Sequence, residues 1–335
     1  AELKSILAEV TDLNNARAVL SWDQFTYMPP GGAPARGRQQ ATMGKVAQEK
    51  LIQPQVGRLL DSLRPYQESL PYEHDDASLI RVTRRDFERL LRIPPEFTAR
   101  MNTLDAEIYQ AWSEARPAND FKRLIPLMEK NLELSRELAN YFPGYEHIAD
   151  PLIDEMDYGM KATSVRLIFN DLRAALVPIV QAILAQPPAD DACLRRYFPE
   201  AEQLAFSEEV IRRMGYDFTR GRVDQSPHPF TTSFSPGDVR ITTRVNENHL
   251  GECLFSDIHE AGHAMYEQGV DMKYDGTPLA SGTSAGVHES QSRLWEYVVG
   301  HSLDFWEYFY PQLQKAFPAQ FSGVPLEAFY CAINK

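Results

Sequence analysis

The stretch Leu250–Gly269, LGECLFSDIHEAGHAMYEQG, decides how this chain is read. Its spacing predicts a helix over about Leu250–Gln268, closed by Gly269, with Leu254, Phe255 and Ile258 making it largely buried. Inside it, His259-Glu260-Ala261-Gly262-His263 sets two imidazoles four residues apart. Residues at that spacing share a helix face, so both rings can reach one cation. A buried histidine pair beside a glutamate is costly without a partner, and a metal ion is such a partner. Glu260 adjoins the first imidazole, where its carboxylate can face a water bound to the ion. Zinc lowers the pKa of such a water to roughly 7, and a carboxylate can then take its proton.

Catalytic zinc takes three protein ligands and keeps one position open. His288-Glu289-Ser290-Gln291 begins a second helix, expected over about Ser284–Val299, after the small-residue loop Ser281–Gly286. Glu289 follows His263 by 26 positions (289 − 263), room for a loop and an antiparallel return. It is the candidate third ligand. Glu296 on the same face is the rival, and an ion pair between Glu289 and Arg293 is the structural alternative. Upstream, His228–Phe234, Ser235–Asp238 and Val239–Val245 read as strand, turn, strand. An exposed edge of the second strand would pair with an extended peptide. Arg240 and Arg244 are candidates for the cleft, with an ion pair between Arg240 and Asp238 as the structural alternative, and His228 reads as a loop histidine.

Outward from this centre the periodicity is helical from the start to about Gly215. Leu3, Ile6, Leu7, Val10 and Leu13 mark one buried face. Further helices are expected at about 34–51, 76–92, 96–116, 120–141, 163–186 and 200–214, with Gly215 as a C-cap. Gln186–Asp191 is the one candidate linker. The expected fold is mainly α, with a small β-element ahead of the metal helix.

The composition of 335 residues, 43% hydrophobic and 24% charged, is that of an ordinary globular chain. With 47 acidic against 34 basic residues and a net charge of −13, the surface repels phosphate backbones and anionic membranes, so no nucleic acid and no membrane is expected as a partner. The longest apolar run, about Ala174–Ala185 and containing Pro178, falls short of the roughly 18 residues of a membrane span. Three scattered cysteines suit a reducing compartment, and no signal segment opens the chain, so a cytoplasmic location is expected.

Asp238-Val-Arg-Ile-Thr242, His259–His263 and His288–Gln291, in this order, resemble the DxRxT, HExxH and HES/TQ signatures of the M32 metallocarboxypeptidases, the carboxypeptidase Taq type. Ser21–Pro29 is similar to that family's N-terminal region. The resemblance implies a mainly helical, zincin-like fold with His259, His263 and Glu289 as ligands, Glu260 as general base and Zn²⁺ (or Co²⁺) as the ion. It further implies removal of C-terminal amino acids from peptides, cytoplasmic location and homodimers. The whole chain, 1–335, is then one M32-like catalytic domain, with a helical part over 1–215 and a β-element plus metal-site helices over 216–335. The family's later IRxxAD and GxxQDxHW motifs are not in this sequence, so a C-terminally truncated, impaired enzyme is expected. The apolar face Leu326, Phe329, Tyr330 and Ile333 is expected to be uncovered and sticky. The rival functions are an oligoendopeptidase of the same chemistry and a metal-binding fragment without turnover.

Overall fold

Fourteen α-helices and three short strands make up the computed structural model, which describes residues 1–335. Two compact units share the chain: Ala1–Glu155 with Ser233–Pro236 and Val270–Ser281, and Met156–Thr232 with Gly237–Gly269 and Gly282–Lys335.

The first unit is built from α1 (Glu2–Thr26), α2 (Ala33–Leu51), α3 (Pro54–Glu68), α4 (Asp75–Leu90), α5 (Pro95–Ala115), α6 (Ile125–Asn140) and most of α7 (Asp150–Met156). Prolines stand in the first turns of α2, α3, α5 and α6, where the missing N–H is no loss. Of the expected face, Leu3, Ile6, Leu7 and Val10 are buried against Leu51, Val56, Leu60, Leu79 and Ile80, while Leu13 is only half-buried. Phe97, Leu104 and Leu134 form a smaller core between α5 and α6.

The second unit holds α8 (Ala162–Leu184), α9 (Glu200–Met214), α10 (Leu250–Gln268), α11 (Ala285–Arg293), α12 (Leu303–Ala316), α13 (Pro318–Phe321) and α14 (Leu326–Ile333). Gly215 ends α9 at φ +121°, a conformation that favours glycine. Strands β1 (Val223–Gln225), β2 (Thr231–Ser235) and β3 (Asp238–Thr243) form a sheet in the order β1-β3-β2, with β1 parallel to β3 in the register Val223 to Ile241. The expected strand–turn–strand is present. β1 is too short to leave a pattern in the sequence, and it changes one expectation: β3 lies in the middle of the sheet, not at an edge.

Two further expectations are corrected here. The face of α14 is not left uncovered: Phe329 and Ile333 are buried, and Phe329 packs on Trp306, Tyr310 and Phe321. Covering residues from α12 and α13, not legible as partners from the short end segment alone, close over it. The long apolar element is α8 instead. It runs 23 residues unbroken through Pro178, has no buried residue, and reaches a mean hydropathy of 1.6 over its most apolar stretch. By length and composition it can cross a membrane, a possibility the dozen-residue run had excluded.

Candidate metal centre

The two faces of α10 divide the work. Leu254, Ile258, Ala261 and Ala264 are buried in the main core of the unit, with Val210, Ile211 and Trp306. That packing fixes the rotation of the helix, and His259 and His263 then lie together, ring centroids 5.0 Å apart. Helix α11 crosses close by because residue 262 is a glycine: a Cβ there would stand 2.7 Å from Ser292 Cα and 3.0 Å from the Gln291 carbonyl. The fourth position of the HExxH run is therefore sterically restricted, and the close crossing its glycine allows brings Glu289 to the histidines.

His259, His263 and Glu289 each offer one ligand atom, all within 4.8 Å of one another. Glu289 Oε2 lies 3.2 Å from His263 Nε2 and 3.7 Å from His259 Nε2. Its other oxygen accepts from Arg293 Nε at 2.7 Å, and Ser292 donates to Oε2 at 3.1 Å. The ion pair weighed as an alternative to ligation is thus present beside the histidines rather than in place of them. Glu296, the rival ligand, lies at 2.7 Å from Nδ1 of His259, the nitrogen opposite the cluster. It sits on a π-helical turn, Leu294–Val299, that continues α11, with the Gly300 amide bonded to the Trp295 carbonyl.

Glu260 is buried, and Thr231 at the start of β2 donates to both its carboxylate, at 2.7 Å, and its backbone carbonyl, at 2.9 Å. Burial raises its pKa above the ordinary carboxyl range, although Thr231 and the charges of His259 and His228 oppose the rise. A carboxyl with a raised pKa is a better proton acceptor than a free one. The two histidines differ. Burial and the charges of His288 and His259 push His263 down to about 4, so its lone pair is available at neutral pH. Burial would also depress His259, but the Glu296 hydrogen bond and the charges of Glu260, Glu296 and Glu289 outweigh it and raise its pKa. The acidic surroundings that favour a positive charge on His259 would favour a bound cation in the same way. For Glu289, burial is outweighed by the Arg293 and Ser292 hydrogen bonds, so its pKa is lowered. Two neutral nitrogens and one carboxylate on a rigid helix pair are a donor set that fits a zinc-type ion with one position left open.

Arg240 forms a two-bond pair with Asp238, at 2.8 and 2.7 Å, and Arg244 pairs with Glu252 at 3.1 Å. Neither is among the residues converging on the histidines. Sequence reasoning missed Thr231, Glu267 and the ring of His288, which touches His263. His288 stood in the quoted motif, but its partner depends on where α11 crosses, and Thr231 carries no signal beyond its place in a strand.

Two imidazoles from one helix and a carboxylate from the next, with a buried glutamate beside the first imidazole, define the HExxH-plus-Glu class of helical metal site. The chain belongs to the carboxypeptidase Taq (M32) metallopeptidase family, which matches residues 2–335. It is 35% identical to thermostable carboxypeptidase 1 of Thermus thermophilus over 340 residues, covering 97% of this chain and 66% of that protein. It is 30% identical to carboxypeptidase 1 of Bacillus subtilis, covering all of this chain and 66% of that one. The crystal structure of the M32 carboxypeptidase from Deinococcus radiodurans R1 superposes with a TM-score of 0.88 at 45% identity, over 99% of this chain and 66% of that one. The chain thus spans about 66% of the length of the curated relatives it matches.

Proposed function

We propose that this chain carries the metal centre of a zinc-dependent metallocarboxypeptidase, with His259, His263 and Glu289 as ligands and Glu260 as the general base. The observation that carries the proposal is the convergence of His259 Nε2, His263 Nε2 and Glu289 Oε2 beside a buried carboxylate of raised pKa. A zinc ion held by His259, His263 and Glu289 would supply Lewis-acid chemistry, polarising the scissile carbonyl and activating water for attack. Glu260 takes the proton of the attacking water and returns it to the leaving amine. Thr231 holds the Glu260 carboxylate in place, and its strand, β2, is an outer strand of the sheet along which an extended peptide can add. Cobalt or another divalent ion would fill the same donor set.

Removal of C-terminal residues is favoured over internal cleavage by the named activities of the relatives, all carboxypeptidases. One observation favours a second reading, a metal-binding chain with little turnover: Arg240 and Arg244, the arginines considered for gripping a free carboxylate, are both held in ion pairs. Turnover of an N-blocked dipeptide with a free or an amidated C-terminus separates the readings, with zinc content measured alongside. Glu260→Gln keeps the size of the side chain but not its basicity, so the zinc stays and the rate falls about 10²–10⁴-fold. A near-normal rate in that variant sinks the assignment of the base. We further infer cytoplasmic residence, which the three unpaired cysteines suit, and assembly as a homodimer, which light scattering of the purified chain tests.

A further inference from the structure

Each histidine of the α10 pair has a second partner behind it, and the two partners are different. A neutral imidazole carries one N–H and one lone pair, so whatever occupies one nitrogen decides what the other can do. Behind His259, the Glu296 carboxylate lies 2.7 Å from Nδ1. A carboxylate only accepts, so Nδ1 carries the hydrogen and Nε2 keeps its lone pair. Behind His263, Nδ1 stands 2.6 Å from Nδ1 of a second imidazole, His288. Two nitrogens that close need one hydrogen between them. Which ring supplies it is settled one bond further back, where His288 Nε2 lies 2.8 Å from Glu267 Oε1. Glu267 accepts, so neutral His288 carries its hydrogen on Nε2 and presents a bare Nδ1. His263 must then donate from Nδ1, which leaves its Nε2 free as well.

This second chain is built to stay put. Glu267 is 5% exposed, and the same Oε1 accepts the Gly282 amide at 3.0 Å. The Tyr266 ring stands edge-on to His288, with centroids 5.0 Å apart. A Cβ on Gly282 would meet His288 Cδ2 at 2.4 Å, so only a glycine lets the loop lie against that ring.

We propose that Glu296 and the Glu267–His288 pair are positioning residues that select the ligating nitrogen of His259 and of His263 respectively. The proposal rests on the metal-centre reading above, since a ring held in this tautomer matters only if Nε2 takes a cation. Partners of this kind typically change metal affinity 10–100-fold without touching the ion. They leave a signature that a purely structural role would not. Removing the acceptor should weaken zinc binding, whereas replacing it by another acceptor of the same size should restore it.

The test is an equilibrium competition for zinc against a chromophoric chelator, with the visible absorption of the cobalt-loaded protein as a second readout. Glu296→Leu and His288→Phe are each expected to weaken zinc binding 10–100-fold and to alter the cobalt spectrum, while Glu296→Gln, whose amide oxygen still accepts, stays within a few fold of the native chain. Gly282→Ala, which crowds His288 from outside the chain of hydrogen bonds, is expected to weaken binding too and serves if His288→Phe does not fold. Helical circular dichroism of each metal-free protein reports folding. Native-like affinity in folded Glu296→Leu, His288→Phe and Gly282→Ala overturns this inference alone. A native chain that takes up no zinc or cobalt overturns the metal-centre reading, and this inference with it.

Discussion

Helices α8 and α10 belong to the same unit and are of similar length, yet they reverse the usual rule of which side chains meet water. In α10, 11 of 19 residues are buried, among them Asp257, Glu260, Glu267 and Gln268. In α8, none of 23 is buried, and Leu167, Leu176 and Leu184 are 67%, 46% and 77% exposed. Scattered exposed leucines are ordinary; buried carboxylates and a continuous exposed apolar stripe are not. Both departures carry information. Burying acids on α10 is expensive and is found where chemistry uses them. Leaving leucines in water on α8 marks a surface awaiting cover. Composition predicts only that a helix has an apolar face; the rest of the fold decides whether that face finds a partner.

The largest difference between the two should appear on truncating a leucine in each. Leu254 is buried in the main core, so Leu254→Ala removes packed atoms and leaves a void, at a cost of about 2–5 kcal/mol. Leu176→Ala on α8 removes atoms already in contact with water and should stay within about 0.5 kcal/mol of the native chain. Urea titration of both variants measures this. Equal losses would mean that α8 is covered in solution.

A second contrast lies in the pH response of the buried acids. Burial pushes Asp257 up to about 7; Ser207 and Cys253 donate to its Oδ2, while Oδ1 has no partner. A carboxyl with a raised folded pKa binds more protons folded than unfolded. Its stabilising protonated form is fully present below the unfolded pKa, near 3.8, and is lost as pH rises through about 7. Each tenfold difference in proton affinity between the folded and unfolded chain is worth about 1.4 kcal/mol, so the loss is on the order of a few kcal/mol. Asp257→Asn cannot ionise. The metal-free variant should therefore gain on the native chain between pH 4 and 7, by chemical unfolding at several pH values. Parallel stability curves would show that Asp257 is hydrated in solution.

How much of this was legible differs along the chain for physical reasons. The α10 helix and the His259, His263 and Glu289 constellation were readable because local spacing puts the imidazoles on one face and the small-residue loop allows an antiparallel return. The face Leu3–Val10 was readable for the same reason of period. Strand β1 was not, because three residues, Val223–Gln225, carry no alternation. Glu296 was placed on the same face as Glu289, but its contact with Nδ1 of His259 was not legible, because it lies on a π-turn no periodicity encodes. The α14 and α8 expectations went astray together. Sequence shows that both are apolar; only the packing of Phe329 on Trp306, Tyr310 and Phe321 shows that α14 is the one covered.

The smallest effect expected on stability is on α8, and it is the most informative about the surface. Phe169, Leu172, Leu176 and Val180 follow one another at spacings of three and four, forming a single stripe that with Arg173, Val177 and Gln181 lines a shallow hollow. Because no other element packs there, Leu176→Glu combined with Val180→Lys should leave the unfolding free energy within about 0.5 kcal/mol. What should change is the response of the surface to apolar probes. A contiguous exposed stripe binds dyes such as anilinonaphthalene sulfonate and promotes association at raised concentration, and two charges in its centre interrupt it. The double variant is therefore expected to bind less dye and to stay monodisperse at concentrations where the native chain associates. Hydrogen exchange gives the independent readout. A helix held only by its own backbone bonds opens locally, so α8 amides should exchange far faster than those of α10, whose opening requires breaking the core. Protection of α8 equal to that of α10, with unchanged dye binding in the double variant, would show that the stripe is covered in solution and that the contrast between the two helices does not hold there.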